Sequence, residues 1–363
     1  MAVTPRKIAQ TLAACRRAAR RYDCPLPVVL GRFWRLYGRE LYSPNEIFLW
    51  GLLDTKLSDD DLAGYVSNER LHELQAAFNA KAEDYRVEDK VAFHEIAARC
   101  GLAVPSLYGV FAPSGGWCGE ARELVGQAPW TEALERLPHD EFVIKPSQGF
   151  YGQEVRIFVR RAGGLVDFHG QPWDPAEIYR LMAGGTGYDT FVIEERLRND
   201  PEIAQLCATE TLQTLRLVTL IQDPQAPQAE ILFALWKLST GNVEVDNFNL
   251  GRSGNLCADV NLEQGTLGKV VTGAPDGLGL VEVVHQPRTE QPLAGFRLPH
   301  WEEAQALVRR AALEVMPLRT VGWDVGLTAA GPVIVEGNAW WGPFHNAHGQ
   351  MGRYLSFHDG RRP

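Results

Sequence analysis

The sequence VGWDVGLTAAGPVIVEGN, residues 321–338, carries the clearest indication of the fold in this chain. Two alternating segments flank a turn centred near Ala330, which predicts a pair of antiparallel strands. Asp324 and Glu336 are each six residues from that centre, so simple pairing places them opposite each other with Cβ atoms about 5 Å apart. Asn338 follows two residues after Glu336 and is expected on the same face.

Two carboxylates that face each other repel and destabilise the strand pair unless a cation lies between them. A divalent metal is one such cation. Oxygen ligands without His or Cys favour a hard ion, and Mg²⁺ prefers one or two carboxylates supplemented by substrate phosphates and water. The alternative is a solvated hairpin face or a carboxylate pair that shares a proton, and a bulge would change the register.

A lysine ends a second apolar strand, within the sequence FVIKPSQGFYG at residues 142–152. Lys145 supplies a charge suited to phosphate, while Gly149 and Gly152 allow backbone N–H groups to approach phosphate oxygens. The spacing matches neither the P-loop motif nor GxGxxG, so it supports neither of those nucleotide sites. An exposed edge strand followed by a hairpin turn is the alternative interpretation.

Arg216 interrupts the run TLRLVTL, residues 214–220, which is expected to be buried. An unpaired buried charge is costly, so this arginine requires an anionic partner, either a structural Glu or a substrate phosphate or carboxylate. A further apolar strand at residues 191–193 runs into polar residues before Leu197. Its end either presents an apolar side chain and backbone groups to an adenine or is an ordinary strand end.

The rest of the chain favours an α+β architecture. Residues 1–86 carry repeated helix starts, such as Ser43 with Glu46, and no strand alternation, which predicts a helical N-terminal module. Helices are also expected from Asp89 to Cys100 and from Trp301 to Met316. Because helical and strand-like segments occur in separate runs, α+β is favoured over a doubly wound parallel sheet.

Composition and charge exclude several classes of protein. Thirty-six Lys and Arg against 45 Asp and Glu give a formal charge of −9, which does not favour nucleic acid as a partner. The longest apolar stretch, residues 47–53, is far shorter than the roughly 20 residues of a membrane span. The six cysteines are scattered without a CxxC pair, so a reducing cytoplasm is the expected location.

Residues 1–22 contain six basic side chains and no acidic one. The favoured interpretation is a helix with one packed face and solvated arginines on the other. A transit peptide, a membrane-surface helix or an RNA contact is the alternative.

In chain order, these motifs resemble the ATP-grasp superfamily, and within it the sugar-transfer associated group, which is similar to α-L-glutamate ligase-like enzymes. The resemblance covers about residues 87–349 and is carried by Asp89-Lys90, the Lys145 strand, Glu194 to Leu197, Arg216, Asp324 and Glu336-Gly337-Asn338. It implies two α+β lobes whose antiparallel sheets grip a nucleotide. The implied division is a helical module at 1–86, a linking α/β segment at 87–140, a small lobe with the glycine loop at 141–198 and a large lobe with the metal site at 199–363.

The resemblance also implies the role of each site residue. The nucleotide would be bound by Lys90, Lys145, Ser147, Gly149, Gly152, Glu194, Glu195, Leu197 and Glu202. Mg²⁺, usually two ions and replaceable by Mn²⁺, would be held by Asp324, Glu336 and Asn338. Arg216 would stabilise the transferring phosphate, with Lys237 and either Asn247 or Asn249 near by.

The implied activity is that of an ATP-dependent carboxylate–amine ligase. A carboxylate attacks the γ-phosphate of ATP, and an amine then displaces phosphate from the acyl-phosphate, with release of ADP. The expected partners are small carboxylates and amines, with a sugar linkage suggested by the name of the group, and neither nucleic acid nor membrane insertion. A kinase that phosphorylates a hydroxyl and a catalytically silent nucleotide-binding module are the alternatives.

An aromatic and histidine-rich stretch, AWWGPFHNAH at residues 339–348, follows the expected metal site. Trp340 and Trp341 either stack on a sugar or another planar acceptor or pack in the core. His345 or His348 either accepts the proton of the amine or lies in a surface loop.

Overall fold

The protein consists of two antiparallel β-sheets surrounded by helices, as described in a computed structural model for residues 4–149, 154–184, 187–241 and 243–352. The described part contains eleven α-helices: α1 Pro5–Arg21, α2 Leu26–Gly38, α3 Pro44–Leu49, α4 Asp59–Ala63, α5 Asn68–Ala76, α6 Tyr85–Glu88, α7 Lys90–Cys100, α8 Gln127–Arg136, α9 Pro175–Ala183, α10 Pro201–Cys207 and α11 Trp301–Glu314. Short 3-10 helices span Lys81–Glu83, Asn249–Gly251 and Phe344–His348.

Fifteen strands lie in the described part of the chain: β1 Leu107–Phe111, β2 Gly116–Cys118, β3 Ala121–Leu124, β4 Glu141–Pro146, β5 Arg156–Arg161, β6 Gly164–Asp167, β7 Pro172–Trp173, β8 Phe191–Glu195, β9 Thr214–Ile221, β10 Ala229–Leu238, β11 Leu256–Val260, β12 Leu267–Gly273, β13 Leu280–Glu282, β14 Thr320–Thr328 and β15 Gly331–Asn338. The first sheet has the strand order β3-β2-β1-β8-β4-β5-β6-β7, and the second has the order β13-β12-β11-β10-β9-β14-β15.

Hydrogen-bonding side chains begin the helices where the sequence predicted. Ser43 and Glu46 form a reciprocal capping box at α3, and Asp89 accepts hydrogen bonds from the first backbone N–H groups of α7. Gly101 ends α7 in the left-handed region at φ 61°, which a residue with a side chain adopts only at a cost. These local signals confirm the predicted helical start of the chain and the helix that ends at Cys100.

The hairpin of β14 and β15 has the predicted register. Asp324 is paired with Glu336 and Gly322 with Asn338, and an irregularity follows between Asp324 and Val325. On the turn side of the bulge, Val325 pairs with Ile334 and Thr328 with Gly331, a register that would place Asp324 opposite Val335. The predicted opposition of the two carboxylates is therefore reached through the bulge and not by simple pairing from the turn.

The second sheet is covered on both faces. One face packs on α7 and α11 through a large apolar cluster that includes Phe93, Trp236, Trp323 and Val308. The opposite face carries Leu235, which packs with the N-terminal helices in a separate cluster. Leu235 of β10 pairs with Arg216 of β9, so both side chains lie on one face of the sheet. The helical module therefore covers the face that bears the arginine.

The predicted α+β architecture is confirmed, whereas the proposed domain boundaries stay a prediction. The segment 87–140 is more than a linker, because β1 pairs with β8 and so extends the first sheet with β2 and β3. Its helix α7 packs on the second sheet instead. Within the described residues, none of the helices combines the length and apolar character required to cross a bilayer.

The basic first helix has one packed face, as favoured above. Ala14, Cys15 and Ala18 are buried, and Arg21 forms an exposed ion pair with Asp276 at 3.3 Å. Thr4 caps the helix by accepting a hydrogen bond from the backbone of Lys7.

Candidate active site

A cavity of about 230 Å³ lies between the two sheets. The first sheet contributes Val143 and Lys145 of β4 and Ile157 of β5, while β9, β10, β14 and β15 of the second sheet form the opposite side. Lys145 also spans the gap, because its Nζ donates to the carbonyl oxygen of Val335 at 3.4 Å. The strand that the sequence left open as an exposed edge is therefore an interior strand whose lysine is buried.

Three successive rows of residues form the second-sheet side of the cavity, because strand residues two apart share a face. The rows follow from the strand pairings and are Thr214 with Gly326, then Arg216 with Asp324 and Glu336, then Val218 with Gly322 and Asn338. The charged side chains of the second sheet are thus concentrated in the middle of the cavity.

The central row contains a buried ion pair. Arg216 Nε donates to Asp324 Oδ1 at 2.6 Å and its Nη2 donates to Oδ2 at 2.9 Å, while Lys237 Nζ donates to Oδ2 at 3.1 Å. Burial alone would raise the pKa of Asp324, but the two cations reverse this and hold it below its usual value. The protein partner of Arg216 is therefore an aspartate of the same sheet and not a Glu, while contact with a substrate phosphate or carboxylate stays a prediction.

The repulsion between Asp324 and Glu336 is offset by cationic side chains of the protein. Arg216 and Lys237 neutralise the former, and Lys90 Nζ lies 3.7 Å from Glu336 Oε2. The need for a cation near the opposed carboxylates is thus met by side chains that reach the hairpin from other elements, which the sequence alone does not show. A metal at this position stays a prediction.

The oxygen donors of this hairpin nevertheless fit one hard cation. Glu336 is a third exposed, Asn338 carries an amide oxygen on the same face, and Asp324 Oδ1 has a second lone pair besides the one that accepts from Arg216. Among the described residues, no three His, Cys, Asp or Glu side chains form a metal-binding group, so Asn338 is needed to complete the set.

Lys145 is held by a buried carboxylate that a histidine also contacts. Its Nζ lies 2.7 Å from Glu194 Oε2, and His94 Nε2 lies 2.8 Å from Glu194 Oε1. Burial would raise the pKa of Glu194, but Lys145 and His94 lower it below its usual value. The sequence analysis missed His94, although its place one helical turn after Lys90 on α7 put both side chains on one face.

Ser147 and Lys90 join the end of β4 to the start of α7. The backbone N–H of Lys90 donates to Ser147 O at 3.0 Å, and Ser147 Oγ donates to Asp89 Oδ1 at 2.7 Å. The hydroxyl predicted to contact phosphate is therefore directed at a helix cap. Lys90 itself is buried, and desolvation lowers its pKa below that of a solvated lysine although Glu336 opposes the shift.

The glycine loop is described only in part. Gly149 packs against Pro146, where an added Cβ would lie 3.2 Å from the proline Cβ. Gly152 lies outside the described residues.

All three residues expected near an adenine by the resemblance, Glu194, Glu195 and Leu197, line the cavity. Leu197 lies with Leu212 above the first row, where a Cβ on Gly326 would approach their methyl groups to 3.6 and 3.2 Å. Glu195 also lines the cavity, and its Oε2 accepts from Ser106 Oγ at 2.8 Å. Glu202 instead lies outside the cavity lining. Helix α10 begins at Pro201, directly after its cap Asp200, and Glu202 is exposed in the first turn of that helix.

Of the two asparagines expected near Lys237, Asn247 lines the cavity with that lysine and Asn249 does not. Asn249 is exposed in a 3-10 helix, whereas Asn247 lines the cavity. Asp246, which the sequence analysis missed, lies 3.7 Å from Lys237 and accepts from Thr214 Oγ1 at 2.6 Å. Burial raises the pKa of Asp246, although Lys237 opposes that shift.

Residues after β15 close one end of the cavity. Trp341 is buried over Gly322, where a Cβ would lie 2.7 Å from the tryptophan Cβ, and the ring of Phe344 lies 5.3 Å from the Arg216 guanidinium. His348 lies outside the cavity lining, and burial lowers its pKa to about 4, so it is poorly suited to accept an amine proton at neutral pH. The side chain of His345 lies outside the described part.

The helical module contributes two residues that the sequence analysis missed. Asn68 and His72 of α5 line the cavity, and the His72 ring is stacked on Trp340 with centroids 5.8 Å apart. An exposed Asn and His on a short helix give no sequence signal of a site more than 260 residues away.

Comparison with solved structures shows distant similarity only. The crystal structure of biotin carboxylase from Campylobacter jejuni has a TM-score of 0.43 and 8% identity over 77% of this chain and 47% of that chain. The crystal structure of an L-amino acid ligase from Bacillus licheniformis has a TM-score of 0.39 and 13% identity over 80% of this chain and 52% of that one. The chain thus spans about half the length of these two proteins.

A D-alanine–D-alanine ligase from Bacillus anthracis, complexed with ATP, has a TM-score of 0.37 and 11% identity over 74% of this chain and 64% of that one. Comparison with the curated proteins gave no match.

The chain also matches a sequence model of a protein family. The sequence model described as sugar-transfer associated ATP-grasp matches residues 69–351, from α5 of the helical module to the end of the described chain. The match therefore includes helical residues that the resemblance had placed outside the common core, together with both sheets and the whole cavity lining except Asn68. The chain belongs to the sugar-transfer associated ATP-grasp family.

Proposed function

We propose that the protein is an ATP-dependent carboxylate–amine ligase that forms an amide through an acyl-phosphate and releases ADP and phosphate. The proposal is supported by family membership and by one observation above all. Lys145 of the first sheet and Arg216 of the second line the same cavity, so a polyphosphate between the sheets would meet a cation on each side.

The three rows suggest how a nucleotide would lie. Leu197 and Leu212 offer an apolar end that suits an adenine, and the charged central row follows one row further along the sheet. Rows two residues apart are separated by about 7 Å, which is comparable with the distance between a base and its phosphates. In this orientation the γ-phosphate would point toward Gly322 and Asn338.

The ion pairs in and next to the cavity suit an anionic ligand, which would replace a carboxylate as the partner of a cation. The cations Lys90, Lys145, Arg216 and Lys237 are each within 4 Å of a carboxylate of Glu336, Glu194, Asp324 or Asp246. These contacts hold the cations in position before a phosphate arrives, so little reorganisation is needed to stabilise developing negative charge. Phosphoryl transfer depends mainly on such positioning, and no protein nucleophile is required.

Glu336, Asn338 and Asp324 are the residues proposed to hold Mg²⁺ or Mn²⁺. Such an ion would neutralise charge on the phosphates. The resemblance implies two ions, and this number stays a prediction. All six cysteines are free, which supports the proposed reducing cytoplasm.

The proposal is tested by measuring ADP release with Mg²⁺ and ATP over a panel of amino acids and amino sugars, with mass analysis of the products. The expected result is ADP release that requires both a carboxylate and an amine, and a product lighter by one water than their sum. AMP with pyrophosphate would contradict the proposal. A stable phosphorylated product that forms without any amine would identify the kinase alternative instead.

A further inference from the structure

The third row of the cavity lies beyond the charged row, on the side away from Leu197. It contains Gly322 and Asn338, and Trp341 packs directly over the glycine. A nucleotide that places its base near Leu197 and its phosphates at the central row leaves this end for the other substrates.

The helical module covers the third row through α5. Leu71 is fully buried in a small apolar cluster with Val218, Phe233 and Trp341. Val218 is the member of the third row on β9, so α5 packs on the same face of the sheet as the cavity. The module thus forms part of the cavity at this end.

Buried amides fix α5 and the residues after it to the segment that follows β15. Gln75 Nε2 donates to Trp341 O at 2.7 Å, and Asn79 Nδ2 donates to Thr320 O at 2.8 Å and to Ala339 O at 2.9 Å. Asn346 accepts from the N–H of Val66 at 3.0 Å and donates to its carbonyl at 2.7 Å. These bonds hold the helix in a fixed position relative to the central row.

Asn68 and His72 are one helical turn apart on α5 and both line the cavity. The N–H of Asn68 donates to Glu46 Oε1 at 2.7 Å, which anchors the start of the helix. Trp340, on which His72 stacks, is itself fixed because its Nε1 donates to Asp84 Oδ2 at 2.9 Å. The two cavity-facing side chains therefore belong to a rigid surface.

The chemistry of this end differs from that of the central row. Asn68, His72 and Trp340 offer an amide, an imidazole and an indole ring and no carboxylate, lysine or arginine. Such a surface provides hydrogen-bond donors and acceptors next to aromatic rings, which suits an uncharged ring bearing hydroxyl groups. The charged group of the same substrate would face Arg216 at the boundary with the central row.

We infer that α5 and residues 340–344 form an acceptor-binding end of the cavity that selects a hydroxylated ring, such as a pyranose carrying an amine or a carboxylate. This inference rests on the proposed function, because the assigned nucleotide orientation decides which end is left for the acceptor.

The test is saturation-transfer NMR on the full-length protein with Mg²⁺ and a non-hydrolysable ATP analogue. Two matched pairs of probes are compared: D-glucosamine with ethanolamine, and D-glucuronate with lactate. At least one ring probe is expected to bind five-fold or more tightly than its acyclic match, and His72→Ala and Asn68→Ala each remove most of that advantage. Glu69→Ala, an exposed change on the same helix, retains it.

Affinity for the ATP analogue serves as the second readout, and it is expected to stay within two-fold of the wild type in all three variants. No advantage of either ring in the wild type, or an advantage that persists in both His72→Ala and Asn68→Ala, would overturn the inference while leaving the proposed function intact. Absence of analogue binding to the wild type would instead defeat the proposed function, and the acceptor site with it.

Discussion

Replacement of Asp324 by Asn tests the buried ion pair at the centre of the cavity. The amide is close in shape to the carboxylate but carries no charge, so the variant removes the anion and little volume. Arg216 is 5% exposed and Lys237 9% exposed, so both cations lose their shared counter-ion in a region with little access to water.

The magnitude follows from which partners remain. Removal of one partner of a buried ion pair lowers the free energy of unfolding by about 3–5 kcal/mol, because the remaining charge is left uncompensated. Lys237 keeps Asp246 at 3.7 Å, whereas the bidentate contact of Arg216 is lost entirely. We therefore expect a loss near the lower limit, about 3 kcal/mol in the free energy of unfolding at pH 7.

Urea unfolding followed by tryptophan fluorescence measures this loss. The matched control is Asp276→Asn, which removes the exposed partner of Arg21 and is expected to change stability by less than about 1 kcal/mol. A transition of Asp324→Asn that coincides with that of the wild type would refute the view that this pair stabilises the second sheet.

The pH dependence of the same difference has a definite sign. Pairing lowers the pKa of Asp324 in the folded state, so its contribution is present above the unfolded pKa of about 3.9 and is lost as the pH falls through the folded value. The difference between wild type and Asp324→Asn should therefore be constant from pH 7 to about 5 and decrease only below about 4. A difference that disappears already near pH 6 would assign the effect to another group.

Three further changes have expected outcomes. Gly322→Ala places a Cβ 2.7 Å from a tryptophan Cβ and should lower the free energy of urea unfolding by about 1–3 kcal/mol. Gly163→Ala, where an added Cβ meets nothing within 4 Å, should be nearly neutral. Equal stabilities of the two variants would contradict the packing described. Asn79→Leu removes four hydrogen bonds to backbone groups and should increase cleavage within residues 1–86 in limited proteolysis; an unchanged cleavage pattern would show that the module is held by other contacts. Lys145→Met should lower ATP-dependent turnover roughly 10²-fold, against no change for the exposed Lys269→Met; turnover retained by the former would remove it from phosphate binding.

The sequence predicted those features whose signals are local. The antiparallel pairing of β14 with β15 follows from their alternation about a short turn, and the start of α3 follows from Ser43 and Glu46. In each case the interacting residues are separated by a short piece of chain, so local signals indicate which segments meet. The bulge between Asp324 and Val325, which brings Asp324 opposite Glu336 and not Val335, was not predicted.

Features that join distant parts of the chain could not be predicted in this way. The partner of Arg216 is 108 residues away, and the sequence required an anion for it without showing which one. Strands β11 to β13 and the pairing of β1 with β8 also escaped prediction, since they are short and their pairing depends on the neighbours that the fold supplies.

Site residues taken from resemblance divided according to local geometry. Leu197 lines the cavity because it continues directly from a buried strand. Glu202 lies outside the lining because a cap and a proline start a new helix before it. Asn247 lines the cavity and Asn249 does not, and spacing alone cannot distinguish two asparagines that are two residues apart.

The amide contacts of the helical module also determine how late this module can complete its folding during synthesis of the chain. Gln75 and Asn79 emerge early from the ribosome, but their carbonyl partners follow 241 to 266 residues later. At 5–20 residues per second, translation alone delays these bonds by roughly 10–50 s. Until then the first helices lack these contacts, and the side chain of Leu71 stays uncovered. A nascent chain stalled before residue 341 is therefore expected to bind chaperones.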